Sequence, residues 1–353
     1  MDKKRELMVR GKRIFVGLED SKRTWKVCVR RGGEIVHETS LPAEYPVLRS
    51  YLVGRYPDCE MAVIYEAGFR GFWLHDLLVA DGIKCVVTPP HLVTQAKVNR
   101  VKTDRVDARR LAKILESGDY RACYVPDAEW REDRQVARTL LQVRKDLTRT
   151  KNRVRKLLDF HGVAEHLPAG RWYERQYQEV AGLSVSTPLQ GCLEVHLDLK
   201  AALQEQYRDL TKQLRHISRK PRWARLVALK QSCPGIGWLT AVRLTLEWGE
   251  LERFERGDQL AAFAGLTASE YSSGPYVRRG HITGQGSGPV RGWLIECAWR
   301  AIKRDPVLQE KFSRVWAHSG SKKKGIVATA RKLVVRLWAV ETSGRPYQVG
   351  LVR

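Results

Sequence analysis

The sequence predicts a mixed α/β domain at the amino terminus, a basic helical middle and a mostly helical carboxyl-terminal domain. Three observations predict it. Apolar runs of strand length, some alternating and some continuous, recur between Arg13 and Val87 with helical stretches among them. Apolar residues then recur at mostly heptad-like steps from Val136 to Leu158, and at steps of three and four from Leu199 to Ile217. After Cys233 come amphipathic stretches of helical length separated by glycine-bearing turns. The boundaries expected from these shifts are 1–128, 129–222 and 223–353.

Arg13 to Leu18 is a short apolar run that ends in Glu19-Asp20. Trp25, Val27 and Val29 alternate with polar residues, and Gly32-Gly33 turns the chain so that Glu34 to Thr39 returns as a hairpin partner. Pro42 to Arg55 reads as a helix. Met61 to Tyr65 is a continuous apolar strand ending in Glu66-Ala67-Gly68. Gly71 to Ala80 is helical, with Trp73, Leu77 and Leu78 on one side, and Ile83 to Val87 is another buried strand, closed by Pro89-Pro90. A helix follows from Thr103. A three-stranded meander followed by alternating helix and strand is the order of a ribonuclease-H-like fold, in which the first strand lies beside the fourth.

Carboxylates at the ends of those two strands and on the last helix converge in that fold. Here the positions carry Glu19 or Asp20, then Glu66, then Asp104 with Asp107. Asp104 and Asp107 are three apart, on one face of a helix that Thr103 is suited to cap and whose apolar stripe begins at Ala108, Leu111 and Ala112. Four carboxylates at one site repel unless cations compensate them. Two Mg²⁺ ions about 4 Å apart do so, and clamp a phosphodiester for in-line attack. Lys102, Arg105, Arg109 and Arg110 surround the helix start, and Lys102 and Arg105 are candidate nucleic-acid contacts there. Each acid also has a plain structural reading: the macrodipole for Asp104 and Asp107, a solvated strand end for Glu66, a turn for Glu19-Asp20. Their joint occurrence at the right elements favours a site.

The chain has 353 residues, 63 Lys and Arg against 39 Asp and Glu, and a net charge of +24. Such a balance points to a polyanionic partner, nucleic acid first. No apolar run approaches about 18 residues and no basic-then-apolar leader opens the chain, so a membrane role is not expected and a cytoplasmic location is. The seven Cys form no C-x-x-C pair and sit mostly in apolar runs, which makes them small buried hydrophobes; the His show no ligand spacing.

In the middle, Val136, Leu140, Val143, Leu147, Val154 and Leu158 share a helix with Arg144, Lys145, Arg149, Lys151, Arg153, Arg155 and Lys156 on its other faces. It can pack on the Leu199–Ile217 helix as a hairpin, or on a second protomer as a coiled coil. Gly162 to Pro188 reads as a connector with loops. Farther on, Pro234-Gly235-Ile236-Gly237 has the form of a helix-hairpin-helix turn, whose glycines let backbone N–H groups meet a phosphate. Phe254 to Gly265 reads as a helix. Ser269 to Gly274, then Arg278 to Gly288, form a Gly-rich basic loop before a helix from Pro289. A Ser beside Gly, flanked by Arg278 and Arg279, has the composition of a nucleophile for phosphate with cations to stabilise developing charge; a plain hairpin tip has it too.

These blocks together resemble, along nearly the whole chain, the DEDD-type insertion-sequence transposases, the bridge-RNA-guided recombinases. The resemblance is carried by Val16 to Lys22, Tyr65-Glu66-Ala67-Gly68, Lys102 to Ala108, Pro234 to Gly237, Ala264-Gly265-Leu266-Thr267 with Ser272-Ser273-Gly274, and Ala328 to Leu333. It implies a RuvC-like nuclease domain, a coiled-coil segment and a carboxyl-terminal transposase domain with a serine nucleophile. It implies a structured bridge RNA that pairs with donor and target DNA, a covalent phosphoserine intermediate, an acidic tetrad assisted by Mg²⁺, and a homo-oligomer, dimer or tetramer, with a composite site. By position the tetrad is Glu19, Glu66, Asp104 and Asp107. The family usually has Asp first, so Asp20 is the alternative to Glu19. Ser273, which directly precedes Gly, is the nucleophile and Ser272 the runner-up. The competing readings are a RuvC-like metal-dependent junction endonuclease and a catalytically degenerate RNA- or DNA-binding protein.

Overall fold

A computed structural model of the chain describes residues 9–90, 103–163, 170, 172–271, 276 and 278–350. It comprises two compact units, Met1–Pro126 and Asp127–Arg353.

The first unit is a five-stranded sheet with helices on both faces. Its elements are β1 (Arg13–Asp20), β2 (Thr24–Arg31), β3 (Glu34–Pro42), α1 (Tyr45–Arg55), β4 (Glu60–Glu66), α2 (Trp73–Ala80), β5 (Lys84–Thr88) and α3 (Asp104–Ser117). The spatial order is β3-β2-β1-β4-β5. β1, β2 and β3 pair antiparallel, whereas β4 runs parallel to β1 and to β5. This mixed sheet with β1 beside β4 is the arrangement expected of a ribonuclease-H-like domain. Side chains alternate between its faces. Val16, Leu18, Trp25, Val27, Val63 and Tyr65 pack with Leu48, Leu52, Leu74 and Leu78 of α1 and α2. Ala62, Ile64 and Val86 pack on the other face with Leu111 and Leu115 of α3.

Helix α3 forms where the sequence placed it. Thr103 Oγ1 accepts from the Val106 amide at 3.4 Å, and Gly118 ends the helix in the left-handed region. The helix lies unusually close to β1. A Cβ on Gly17 would stand 2.1 Å from the Ala108 carbonyl oxygen and 2.3 Å from the Ala112 nitrogen, so only glycine permits this approach.

The second unit is helical. Two long helices, α4 (Ala128–Phe160) and α6 (Thr187–Ile217), pack antiparallel, with the short α5 (Glu174–Ala181) beside them. The segment read as a connector therefore holds a helix. Then come α7 (Pro221–Ser232), α8 (Trp238–Trp248), a 3-10 turn at Leu251–Arg253, α9 (Gly257–Phe263), the ribbon β6 (Ala268–Glu270) and β7 (Arg279–Ile282), α10 (Gly288–Ala301), α11 (Pro306–Ser319) and α12 (Lys322–Ser343). Buried Leu333, Val334 and Leu337 of α12 join a core with Trp223, Trp248, Leu260 and Leu294. Helices α7 and α11 are absent from the sequence reading above, and the ribbon entered it only as a hairpin tip.

All seven cysteines are free, and Cys28, Cys233 and Cys297 are buried. Among the described residues no helix is long and apolar enough to cross a membrane.

Candidate active site

The site is at the carboxyl ends of β1 and β4. The parallel register pairs Gly17 with Ile64 and Leu18 with Tyr65, so Glu19 and Glu66 leave adjacent strands side by side. Strand alternation sets their direction. Gly17 and Ile64 face α3, and two residues on Glu19 and Glu66 fall on that same face, toward Asp104 and Asp107 in the first turn of α3.

The electrostatics record this convergence. The Glu19 carboxyl is pushed up to about 7, by burial first and then by Asp104, Asp107, Asp20 and Glu66. Among the described residues its Oε2 is buried with no hydrogen-bond partner, a costly state for an acceptor. Asp107 is buried and Asp104 exposed.

Asp20 points the other way. Its Oδ1 lies 2.6 Å from Arg70 Nε and accepts from Trp25 Nε1 at 2.8 Å. Burial raises its carboxyl, and Arg70 and Trp25 oppose that rise. Adjacent residues thus serve opposite faces of the strand, Glu19 among the acids and Asp20 in an ion pair.

The charge facing the acids is Arg110. Its guanidinium lies 2.9 Å from Asp107 Oδ1, three residues back on the helix, and 3.6 Å from Glu66 Oε1. Arg109 is turned to Glu38, with Nη2 donating to Oε2 at 2.6 Å, and Arg105 is exposed. Donor type and charge suit an oxygen-seeking divalent ion. Among the described residues, however, no three His, Cys, Asp or Glu side chains are gathered closely enough to hold a metal, and Arg110 lies against Asp107 and Glu66.

Two residues that hold this site together, Gly17 and Arg70, were not singled out by sequence reasoning. The signal for Gly17 was available: a glycine interrupting an apolar run just before an acid marks a close backbone approach. Lys102 lies outside the described residues, as do Ser272 and Ser273, which belong to the segment joining β6 to β7. On that ribbon Ala268 pairs with Ile282 and Glu270 with Arg279, and the Tyr271 amide donates to the Arg278 carbonyl at 2.9 Å. The Arg278 side chain is exposed.

The Pro-Gly-Ile-Gly turn does join two packed helices, α7 and α8. Gly235, at φ +82°, is needed for packing: a Cβ there would stand 2.4 Å from the Cys297 carbonyl oxygen of α10. Gly237 opens α8 with space about its Cα.

Comparison with known proteins gives a coherent picture. Residues 16–162 match the DEDD-type IS110 transposase model, and residues 228–313 match the model described as Transposase IS116/IS110/IS902 family. Protein y4rJ of Sinorhizobium fredii, whose name assigns it to the transposases, is 29% identical over 372 residues, covering 94% of this chain and 92% of its own. The transposase for insertion sequence element IS1111A of Coxiella burnetii is 26% identical over 365 residues, covering 99% and 94%. A shorter match, 29% over 122 residues, covers 34% of this chain and 38% of the pilin gene-inverting protein of Moraxella bovis.

Proposed function

From the premise that this chain belongs to the IS110 family of insertion-sequence transposases, and is a DNA transposase, we propose that it cuts and rejoins DNA through a covalent bond to Ser273, next to an acidic tetrad of Glu19, Glu66, Asp104 and Asp107. The observation that carries the tetrad is the convergence of those acids on one face of the sheet end, with Glu19 pushed up to about 7 by burial and by its neighbours. Glu19, and not Asp20, is the first member, because Asp20 is held by Arg70 and Trp25.

The four carboxylates are the residues to hold Mg²⁺, once Arg110 gives way. A divalent ion bound there supplies charge that offsets the negative oxygens of a phosphate under attack. The chain's own part is to bring the Ser273 oxygen to phosphorus. That oxygen forms a new ester bond as the bond to the leaving deoxyribose oxygen breaks, and the serine proton passes to the acidic cluster. The ester keeps the free energy of the phosphodiester, so a second deoxyribose hydroxyl reverses the step without ATP. Arg278 and Arg279, near Ser273 in sequence, neutralise the phosphate oxygens, and Lys102 and Arg105 track the backbone.

Guidance by a structured bridge RNA that pairs with donor and target DNA belongs to this reading. So do a homo-oligomer in which one protomer's acids meet another's serine, and the division into 1–128, 129–222 and 223–353. Rejoining is favoured over simple cutting by the relative named for inverting a gene, since inversion conserves the DNA it rearranges.

The test is adduct formation on DNA carrying the element's ends. Wild-type protein is expected to yield a protein–DNA adduct, and Ser273→Ala none, with RNA binding intact. Asp107→Asn is expected to lower adduct formation by about a thousandfold. An adduct from Ser273→Ala would move the nucleophile to Ser272. Free 5′-phosphate ends with no adduct would favour a junction endonuclease. Unchanged behaviour in the double variant Asp104→Asn with Asp107→Asn would favour a binding protein with a degenerate site.

A further inference from the structure

We propose that Phe69 is a stacking platform for an unpaired nucleobase, beside the carboxylates that act on a neighbouring phosphate; the assignment rests on the active-site reading above. Phe69 lies in the loop that leaves β4 three residues after Glu66, and 64% of it is exposed. A single exposed ring is unremarkable in itself. What distinguishes this one is how it is held.

Arg70 is pinned by Asp20 at 2.6 Å and donates to the carbonyls of Ser21 at 2.8 Å and Lys22 at 3.0 Å. These contacts tie the loop after β4 to the loop after β1. The same guanidinium is 5.3 Å from the Phe69 ring centroid, 5.5 Å from Trp25 and 5.9 Å from Trp73. Lys22 Nζ is 5.9 Å from Phe69. Both cations are within the range of attraction to a ring face. The ring is thus held at the surface by a half-buried ion pair, with little ordering left to be done when a flat partner arrives.

The surroundings choose the partner. Exposed Lys22 and Arg23 repel cations and favour a polyanion. The ring asks for a flat apolar face. A nucleobase on its phosphate backbone offers both, whereas in a duplex the base faces are hidden in the stack. A protein partner fits poorly, since Phe69 and the 38%-exposed Trp73 offer far less than the roughly 800 Å² per side of a stable interface. The position adds the last element: the loops that frame the ring leave the same strand ends as Glu19 and Glu66.

The experiment compares full-length protein and its Phe69→Ala and Phe69→Trp variants at fixed salt. Affinities are measured by fluorescence anisotropy for single-stranded DNA, single-stranded RNA and blunt duplex DNA of equal length. Phe69→Ala is expected to weaken single-strand binding about tenfold and duplex binding less than twofold, with Phe69→Trp restoring wild-type values. The strand type with the larger loss identifies the source of the base. A single strand carrying 5-iodouracil is expected to photocrosslink to the peptide containing Phe69. Single-strand affinity within twofold of wild type in Phe69→Ala, an equal loss on duplex, or crosslinks confined to other peptides would each overturn the platform. Cleavage of DNA without Phe69 dependence would sink the platform alone. Phe69-dependent binding without any cleavage would sink only the strand-transfer chemistry.

Discussion

Asp305 in the helical unit and Glu19 in the α/β unit are both withdrawn from water, yet Asp305 titrates low and Glu19 high. Burial works against ionisation in both. At Asp305 it is overcome by hydrogen bonds from Tyr347 and from the Leu308 and Val307 amides, and by Arg336 at 2.9 Å. Glu341, also buried, receives Lys230 and the Leu251 amide. At Glu19 burial is reinforced by four more acids. An acid that serves the fold brings its own counter-charge. Among the described residues, the cation set between the acids at the strand ends is Arg110, which meets Asp107 and Glu66. Perturbation of this kind clusters at functional sites.

That contrast can be broken experimentally, most forcefully through stability. Glu341→Ala strands Lys230 in the core and is expected to lower unfolding free energy by about 3–5 kcal/mol, seen in the urea midpoint of the helical unit. Asp107→Asn relieves repulsion and is expected to cost under about 1 kcal/mol. Equal losses would mean that both sets of acids are structural. Gly17→Ala comes next. It pushes α3 from β1, at an expected cost of about 1–3 kcal/mol, and weakens divalent-ion binding with it. A variant that lost stability but bound ions normally would uncouple the helix position from the site.

Smaller effects sharpen the comparison. Arg110→Gln, measured by calorimetry with Mn²⁺ and no nucleic acid, is expected to raise affinity on the order of fivefold by removing the competing charge. An unchanged affinity would show that Arg110 does not compete. For Glu19 the folded protein holds a proton more tightly than the unfolded chain, so its favourable contribution exists at low pH and is lost as pH rises from 4.5 through about 7. Glu19→Gln is therefore expected to melt higher than wild type at pH 8, by about 2 °C after allowance for solvent screening, and the gap should close toward pH 5. A gap that widened on acidification would reverse the assigned repulsion.

Much of the first unit was legible because strands and helices there differ in period. Continuous Met61–Tyr65, alternating Trp25–Val29 and the Thr103 cap each correspond to an element in place. Which of Glu19 and Asp20 shares a face with α3 was not legible, since that is fixed by Gly17 and by the register with β4. Arg70 was hidden for a similar reason: its partners come from a loop nearly fifty residues earlier. In the second unit the long basic helices announced themselves through apolar spacing. The Gly-rich stretch from Arg278 concealed β7, because a four-residue strand, Arg279–Ile282, carries almost no periodic signal.

The pairing of Arg110 with Asp107 spans three residues of one helix turn, so it needs nothing from the rest of the chain. Asp107 is neutralised by a side chain that travels with the helix itself, and the pairing would survive grafting of Asp104–Ser117 into a sister scaffold.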